Sequence, residues 1–131
     1  MGQTGLVTDT ARPTGRSEAS VNPDSYELAD RYRREDGRVF LSGLQAIARL
    51  PGDQLRLDRR NGLSTAAFIS GYQGSPVGTF GEEVERALRT VPDLPIVNRP
   101  GVNEELAATS VMGSQLAVTL DDCQYDGIVG I

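Results

Sequence analysis

Apolar positions recur with two different periods along this 131-residue chain. Residues 65–70, Thr-Ala-Ala-Phe-Ile-Ser, form a short apolar run without alternation, the pattern of a strand buried on both faces. Phe80, Val84, Ala87 and Leu88 then fall at i, i+4, i+7 and i+8. That spacing predicts an amphipathic helix with Glu82, Glu83, Glu85 and Arg86 on its outer side. A second strand is predicted over 95–98 and a long helix, capped by Asn103, over 104–118. A turn over 121–126 leads into a third strand from Gly127. The resulting β-α-β-α-β order predicts an α/β fold, a parallel sheet flanked by helices. Ile128-Val129-Gly130-Ile131 ends the sequence as a strand that a parallel sheet would bury. The sheet is therefore expected to be incomplete, and the sequence to be a piece of a longer polypeptide, truncated at its C-terminal side.

Upstream of the first strand the pattern is polar and charged. Residues 24–60 hold seven acidic residues and eight arginines and read as short surface helices. Asp24 or Ser25 starts one that runs to Glu35, and Ser42 caps another with Leu44, Ile47 and Ala48 on one face. Pro51-Gly52 is expected to separate that helix from a third, which ends at Asn61-Gly62. Residues 1–22 are small and polar, have nothing to bury and read as a disordered tail. Three regions follow: a tail over 1–22, a helical lead-in over 23–62 and an α/β region over 63–131.

Composition narrows the chemistry. The net charge of −5 argues against a nucleic-acid partner, which selects a basic face. All thirteen basic residues are arginine, an imprint of GC-rich coding rather than of a binding site. Without histidine there is no histidine-based triad and no imidazole metal ligand. The single Cys123 excludes a disulfide framework, a zinc ribbon and a cysteine-held iron–sulfur cluster within these residues. Residues 1–22 lack the apolar stretch of a signal peptide, and no segment approaches the ~20 apolar residues of a membrane span. Leu6 occupies the position where a myristoylation signal needs Ser or Thr. A cytoplasmic protein without membrane contact is expected.

Ligands of open parallel sheets bind where strands meet the helices that follow them. The segments 71–78 and 99–105 occupy those places. Gly71, Gly74 and Gly78, with Ser70, Ser75 and Pro76, let backbone amides approach a ligand closely. The spacing is neither that of a P-loop nor Gly-x-Gly-x-x-Gly, and a ligand-free turn suits it equally. Glu104 and Glu105 in a first helical turn are explained by the helix dipole alone. The small residues that follow (Ala107, Ala108, Ser110, Gly113, Ser114, Ala117) admit either a neighbouring helix or a flat ligand.

Two stretches carry a resemblance. Phe-Ile-Ser-Gly-Tyr-Gln-Gly-Ser-Pro-Val-Gly at 68–78 and Arg-Pro-Gly-Val-Asn-Glu-Glu-Leu-Ala-Ala-Thr-Ser-Val-Met-Gly-Ser-Gln at 99–115 resemble the start of the long, fused indolepyruvate ferredoxin oxidoreductases. Val39–Ala46 and Tyr125-Asp126-Gly127 fit the same pattern, so the resemblance covers about residues 25–131. That family is similar to the 2-oxoacid:ferredoxin oxidoreductases. The resemblance implies oxidative decarboxylation of an aryl 2-oxoacid to an acyl-coenzyme A with reduction of ferredoxin. The implied cofactors are thiamine diphosphate with a magnesium ion and, elsewhere in the full-length enzyme, an iron–sulfur (4Fe-4S) cluster; coenzyme A is the co-substrate. The implied partners are the remaining domains of the same polypeptide, ferredoxin and a second copy in a homo-oligomer.

On this resemblance the segment is the pyrimidine-binding domain. Tyr72-Gln73-Gly74-Ser75-Pro76 matches the family's Tyr-Pro-x-Thr-Pro loop, with Ser75 for its threonine and Gln73 where the relatives carry proline. Tyr72, Gly74, Ser75, Pro76 and Glu104 are the implied cofactor-binding residues, and Glu104 the catalytic one, with Glu105 a bystander. A glutamate bonded to the far nitrogen of the aminopyrimidine helps the ring's amino group take the proton from thiazolium C2. A dry site favours the protonated carboxyl that this needs, whereas a helix start favours its anion. The Gly-Asp-Gly…Asn-Asn signature that holds metal and diphosphate is missing, so no metal ligand is expected here and the isolated segment should be inactive. Two alternatives stand beside this reading: a non-catalytic α/β module that binds a nucleotide or phosphate, and a degenerate remnant.

Overall fold

The computed structural model describes residues 25–131. The tail expected over 1–22, and Asp24 as a helix start, lie outside the described residues. The first helix, α1 (Asp30–Arg33), is shorter than the pattern predicts. Arg34 leaves it with extended backbone, and the Arg31 and Arg34 carbonyls accept from the Arg49 guanidinium. A long-range partner there takes acceptors that another helical turn would have used.

The next helix corrects a second expectation. α2 (Gly43–Arg60) runs unbroken through Pro51. Proline inside a helix costs about 3 kcal/mol because a backbone donor is lost and the ring crowds the preceding turn. Burial opposes that cost: Pro51 is among the largest fully buried side chains, and Gly52, Leu55 and Arg56 are buried beside it. A Cβ at Gly52 would stand 3.2 Å from Leu94 Cδ1, so the glycine admits a close helix–loop contact. Both helix ends are as the sequence predicts. Ser42 and Gln45 form a reciprocal capping box (3.3 and 3.0 Å), and Asn61 with Gly62 (φ +83°) closes the C-terminus.

From β1 (Thr65–Ile69) onward the elements follow the predicted order: α3 (Phe80–Leu88), β2 (Ile96–Asn98), α4 (Glu104–Ala117) and β3 (Gly127–Gly130). All strand pairs are parallel, in spatial order β2-β1-β3, with Ala67 opposite both Ile96 and Val129. The chain is an α/β protein with an open three-stranded parallel sheet flanked by helices. One sheet face meets α2 and α3, where Ile69, Val84, Ala48, Ala87 and Tyr32 form the buried core. α4 covers the other face, against β3 and β1. Alternation along β1 thus sends Ile69 toward α2 and α3, and Ser70, just past the strand, toward α4.

The core also holds charge, which corrects the expectation of purely surface helices. Glu83, expected outside, is 5 % exposed: its carboxylate accepts from the Tyr32 hydroxyl and from Arg86. Burial, then the hydrogen bond to Glu83, then the charge of Glu83 push the Tyr32 phenol well above its ordinary pKa. Arg56 is buried and donates to the Tyr32 carbonyl (2.7 Å) and Asp53 (3.0 Å), with Glu35 at 3.5 Å. These contacts fasten α1 to α2 and α3. The lead-in is packed into the same core as the sheet.

Candidate functional site

At the carboxyl ends of β1 and β2, backbone bonds hold two loops side by side. Arg99 N–H donates to Ile69 O and Gly101 N–H to Gly71 O, both at 2.9 Å. Across β1, Ser70 N–H donates to Ile131 O at 2.9 Å. Asn103, in extended backbone, caps α4 by accepting from Leu106 N–H at 2.8 Å. The start of α4 therefore stands beside the turn at 71–78, although the two are separated by more than a helix and a strand in sequence.

Between them lies an open groove of about 420 Å³. Ser70, Tyr72, Ser75 and Glu104 contribute its polar wall; Ala107, Ala108 and Val111 of α4 contribute an apolar one. Three of the five predicted site residues, Tyr72, Ser75 and Glu104, are thus brought together. Tyr72 and Ser75 are half-buried and Glu104 is exposed. Gly74 and Pro76 are exposed and do not line the groove. Gly74 acts indirectly: a Cβ there would lie 2.4 Å from the Tyr72 ring, so only glycine leaves the ring where it is. Glu105 is exposed and outside the groove; its carbonyl accepts from Thr109 Oγ1 at 2.7 Å.

Outside the groove, the hydroxyls of Thr109, Ser110 and Ser114 all donate to carbonyls of their own helix at 2.7 Å. Ser70 differs from them. It is 9 % exposed, and its Oγ has no hydrogen-bond partner.

A second, smaller cleft of about 140 Å³ lies on the other side of the same turn, between it and α3. Tyr72 and Ser75 belong to both. Asn98, the last residue of β2, is buried in that cleft and donates to Glu85 Oε1 at 2.8 Å. Sequence reasoning passed over Asn98; its place at the carboxyl end of a parallel strand is the signal that could have found it. Cys123 is half-buried in its turn, with Sγ 3.4 Å from Tyr125 O. Among the described residues no cluster of acidic, histidine or cysteine side chains could hold a metal ion, and no helix is long and apolar enough to cross a membrane.

The arrangement suits a flat ring with a polar edge. One face of the ring would lie on Ala107 and Ala108, and its edge would meet hydroxyl and carboxyl groups. No protein-family model, curated protein or solved structure matches the chain.

Proposed function

We propose that this chain is the pyrimidine-binding part of a thiamine diphosphate-dependent 2-oxoacid:ferredoxin oxidoreductase of the indolepyruvate type. One observation carries the reading: Tyr72 and Ser75 of the turn after β1 and Glu104 at the start of α4, distant in sequence, line one groove together with the small apolar residues Ala107, Ala108 and Val111 of α4. The groove's donor set fits an aminopyrimidine, which offers ring nitrogens and an exocyclic amine. When bound, thiamine diphosphate supplies the nucleophilic carbon and the electron sink. Glu104 would hold a proton at a ring nitrogen, Tyr72 and Ser75 would bound the ring with their hydroxyls, and Ala107 and Ala108 would support its face. Among the described residues no cluster of acidic, histidine or cysteine side chains could hold a metal ion, and a lone cysteine cannot hold an iron–sulfur cluster. The reading assigns those functions, with ferredoxin and coenzyme A binding, to further domains or subunits of a cytoplasmic enzyme.

The test is substitution in a polypeptide that includes the diphosphate-binding domain. Glu104→Gln should lower turnover by about 10²–10⁴, the range for loss of a positioned proton-transfer group, with the fold intact by circular dichroism. Glu105→Gln should leave turnover near wild type. Near-normal turnover of Glu104→Gln refutes the assignment. Tight binding of a nucleotide without any of thiamine diphosphate would instead identify a nucleotide-binding module.

A further inference from the structure

We infer that the Ser70 hydroxyl is a ligand-binding group, which hydrogen-bonds the polar edge of a flat heteroaromatic ring seated in the groove against α4. The inference deepens the proposed function and rests on that groove receiving such a ring.

Ser70 stands immediately after β1, where its amide is already committed to the Ile131 carbonyl. The backbone therefore fixes its position, and the hydroxyl adds nothing to the fold. That hydroxyl is buried, and the groove that Ser70 lines is bounded also by the apolar Ala107, Val111 and Ile131. Enclosed hydroxyls are nearly always paired, because an unpaired one has given up water without replacement. Among the described residues only Arg31 Nε shares this state, and it lies on the lead-in, away from the groove. The other hydroxyls of this region show what a serine does without a ligand: on α4 they turn back to helix carbonyls. Ser70, which follows β1 and lies in no helix, makes no such bond. An alanine would fill the same space without the desolvation cost. On this inference the hydroxyl turns about χ1 into the groove, where a ring atom supplies its partner and the hydroxyl becomes favourable.

The test uses the 131-residue chain, titrated with the aminopyrimidine alcohol of thiamine and, separately, with adenine, followed by NMR chemical shifts. Ser70→Ala should weaken binding of the ring about three- to tenfold, the loss of one hydrogen bond. Its thermal midpoint without ligand should be equal to or above that of wild type, which a structural serine would not allow. Unchanged affinity, or a lowered midpoint, overturns the inference. Glu104→Gln separates the two claims. Aminopyrimidine binding that Glu104→Gln weakens and Ser70→Ala does not leaves the proposed function standing and removes Ser70 from it. Adenine binding that depends on Ser70, without aminopyrimidine binding, keeps the role of Ser70 and refutes the thiamine reading. Binding of neither ring refutes both.

Discussion

Tyr32→Phe tests the buried anchor that joins the lead-in to the sheet. Tyr32 is 4 % exposed, and its hydroxyl donates to the Glu83 carboxylate, which Arg86 also engages. A hydrogen bond to a charged acceptor contributes about 1.5–3 kcal/mol. Glu83 keeps Arg86 in the variant, so the loss near neutral pH should fall at the lower end of that range. Alkaline pH adds a second, independent signature. Burial and Glu83 raise the folded-state pKa of Tyr32 far above the unfolded value of about 10. Its contribution is fully present below the unfolded pKa and is lost as pH rises above it, because the unfolded phenol ionises while the folded one does not. At about pH 11, one unit past the unfolded value, that loss is RT ln(1 + 10), about 1.4 kcal/mol.

Phenylalanine cannot ionise, so the variant escapes this loss. The stability gap between wild type and Tyr32→Phe should narrow by about 1.4 kcal/mol between pH 8 and pH 11. Guanidinium unfolding followed by circular dichroism at both pH values measures it directly. The chain is well suited to the experiment: every one of its thirteen basic residues is arginine, so no lysine titrates in this range. Tyrosinate absorbance provides a parallel check, since the share due to Tyr32 should emerge only as the fold opens. Parallel stability-versus-pH curves for the two proteins would refute the buried Tyr32–Glu83 contact.

Two further substitutions probe the loop beside α4. Gly101→Ala places a Cβ 2.8 Å from that of Ala107 and 2.9 Å from the Asn103 carbonyl oxygen, and should cost about 1–3 kcal/mol in equilibrium unfolding. Asn103→Ala removes the side-chain acceptor for Leu106 N–H and should cost about 1 kcal/mol, read from the same unfolding curves; Asn103→Asp or Asn103→Ser should restore most of it.

What local pattern could reveal, and what it could not, follows from how far apart the interacting residues lie. β1, α3, β2, α4 and β3 were readable because each is bounded by glycine, proline or a capping residue and keeps one period throughout. The rule that parallel sheets bind ligands at the carboxyl ends of their strands singled out the segments 71–78 and 99–105, and within them Tyr72, Ser75 and Glu104 were picked out by the family resemblance alone. The continuity of α2 through Pro51 was unreadable, since it depends on the burial of that ring and on Leu94 settling against Gly52. Glu83 adjoins Val84 on the buried side of α3, but its partner Tyr32 lies 51 residues away. A carboxylate is placed outside by default unless such a partner is known. Ser70 was visible as a hydroxyl beside the turn; its lack of a partner emerges only when α4 closes over it.

The exposed carboxyl and the apolar helix at the groove make one physical argument. Glu104 sits in the first turn of α4. The proposed chemistry needs that group to hold a proton, which a dry surrounding favours. In this chain Glu104 is exposed, so dryness has to come from a surface laid over the groove. Away from the groove, α4 also exposes apolar side chains: Leu106, Met112 and Leu116 are 52, 59 and 57 % exposed, and Ala107 is its one buried residue. An apolar helix surface of this kind is what a packed neighbour covers. On the proposed reading, association and catalysis are therefore coupled: a neighbour that packs on α4 and spans the groove removes water from Glu104. Substitutions on the outer side of α4 should then impair turnover while sparing the stability of the uncovered chain, whereas Glu104→Gln should impair turnover whether or not the cover is in place.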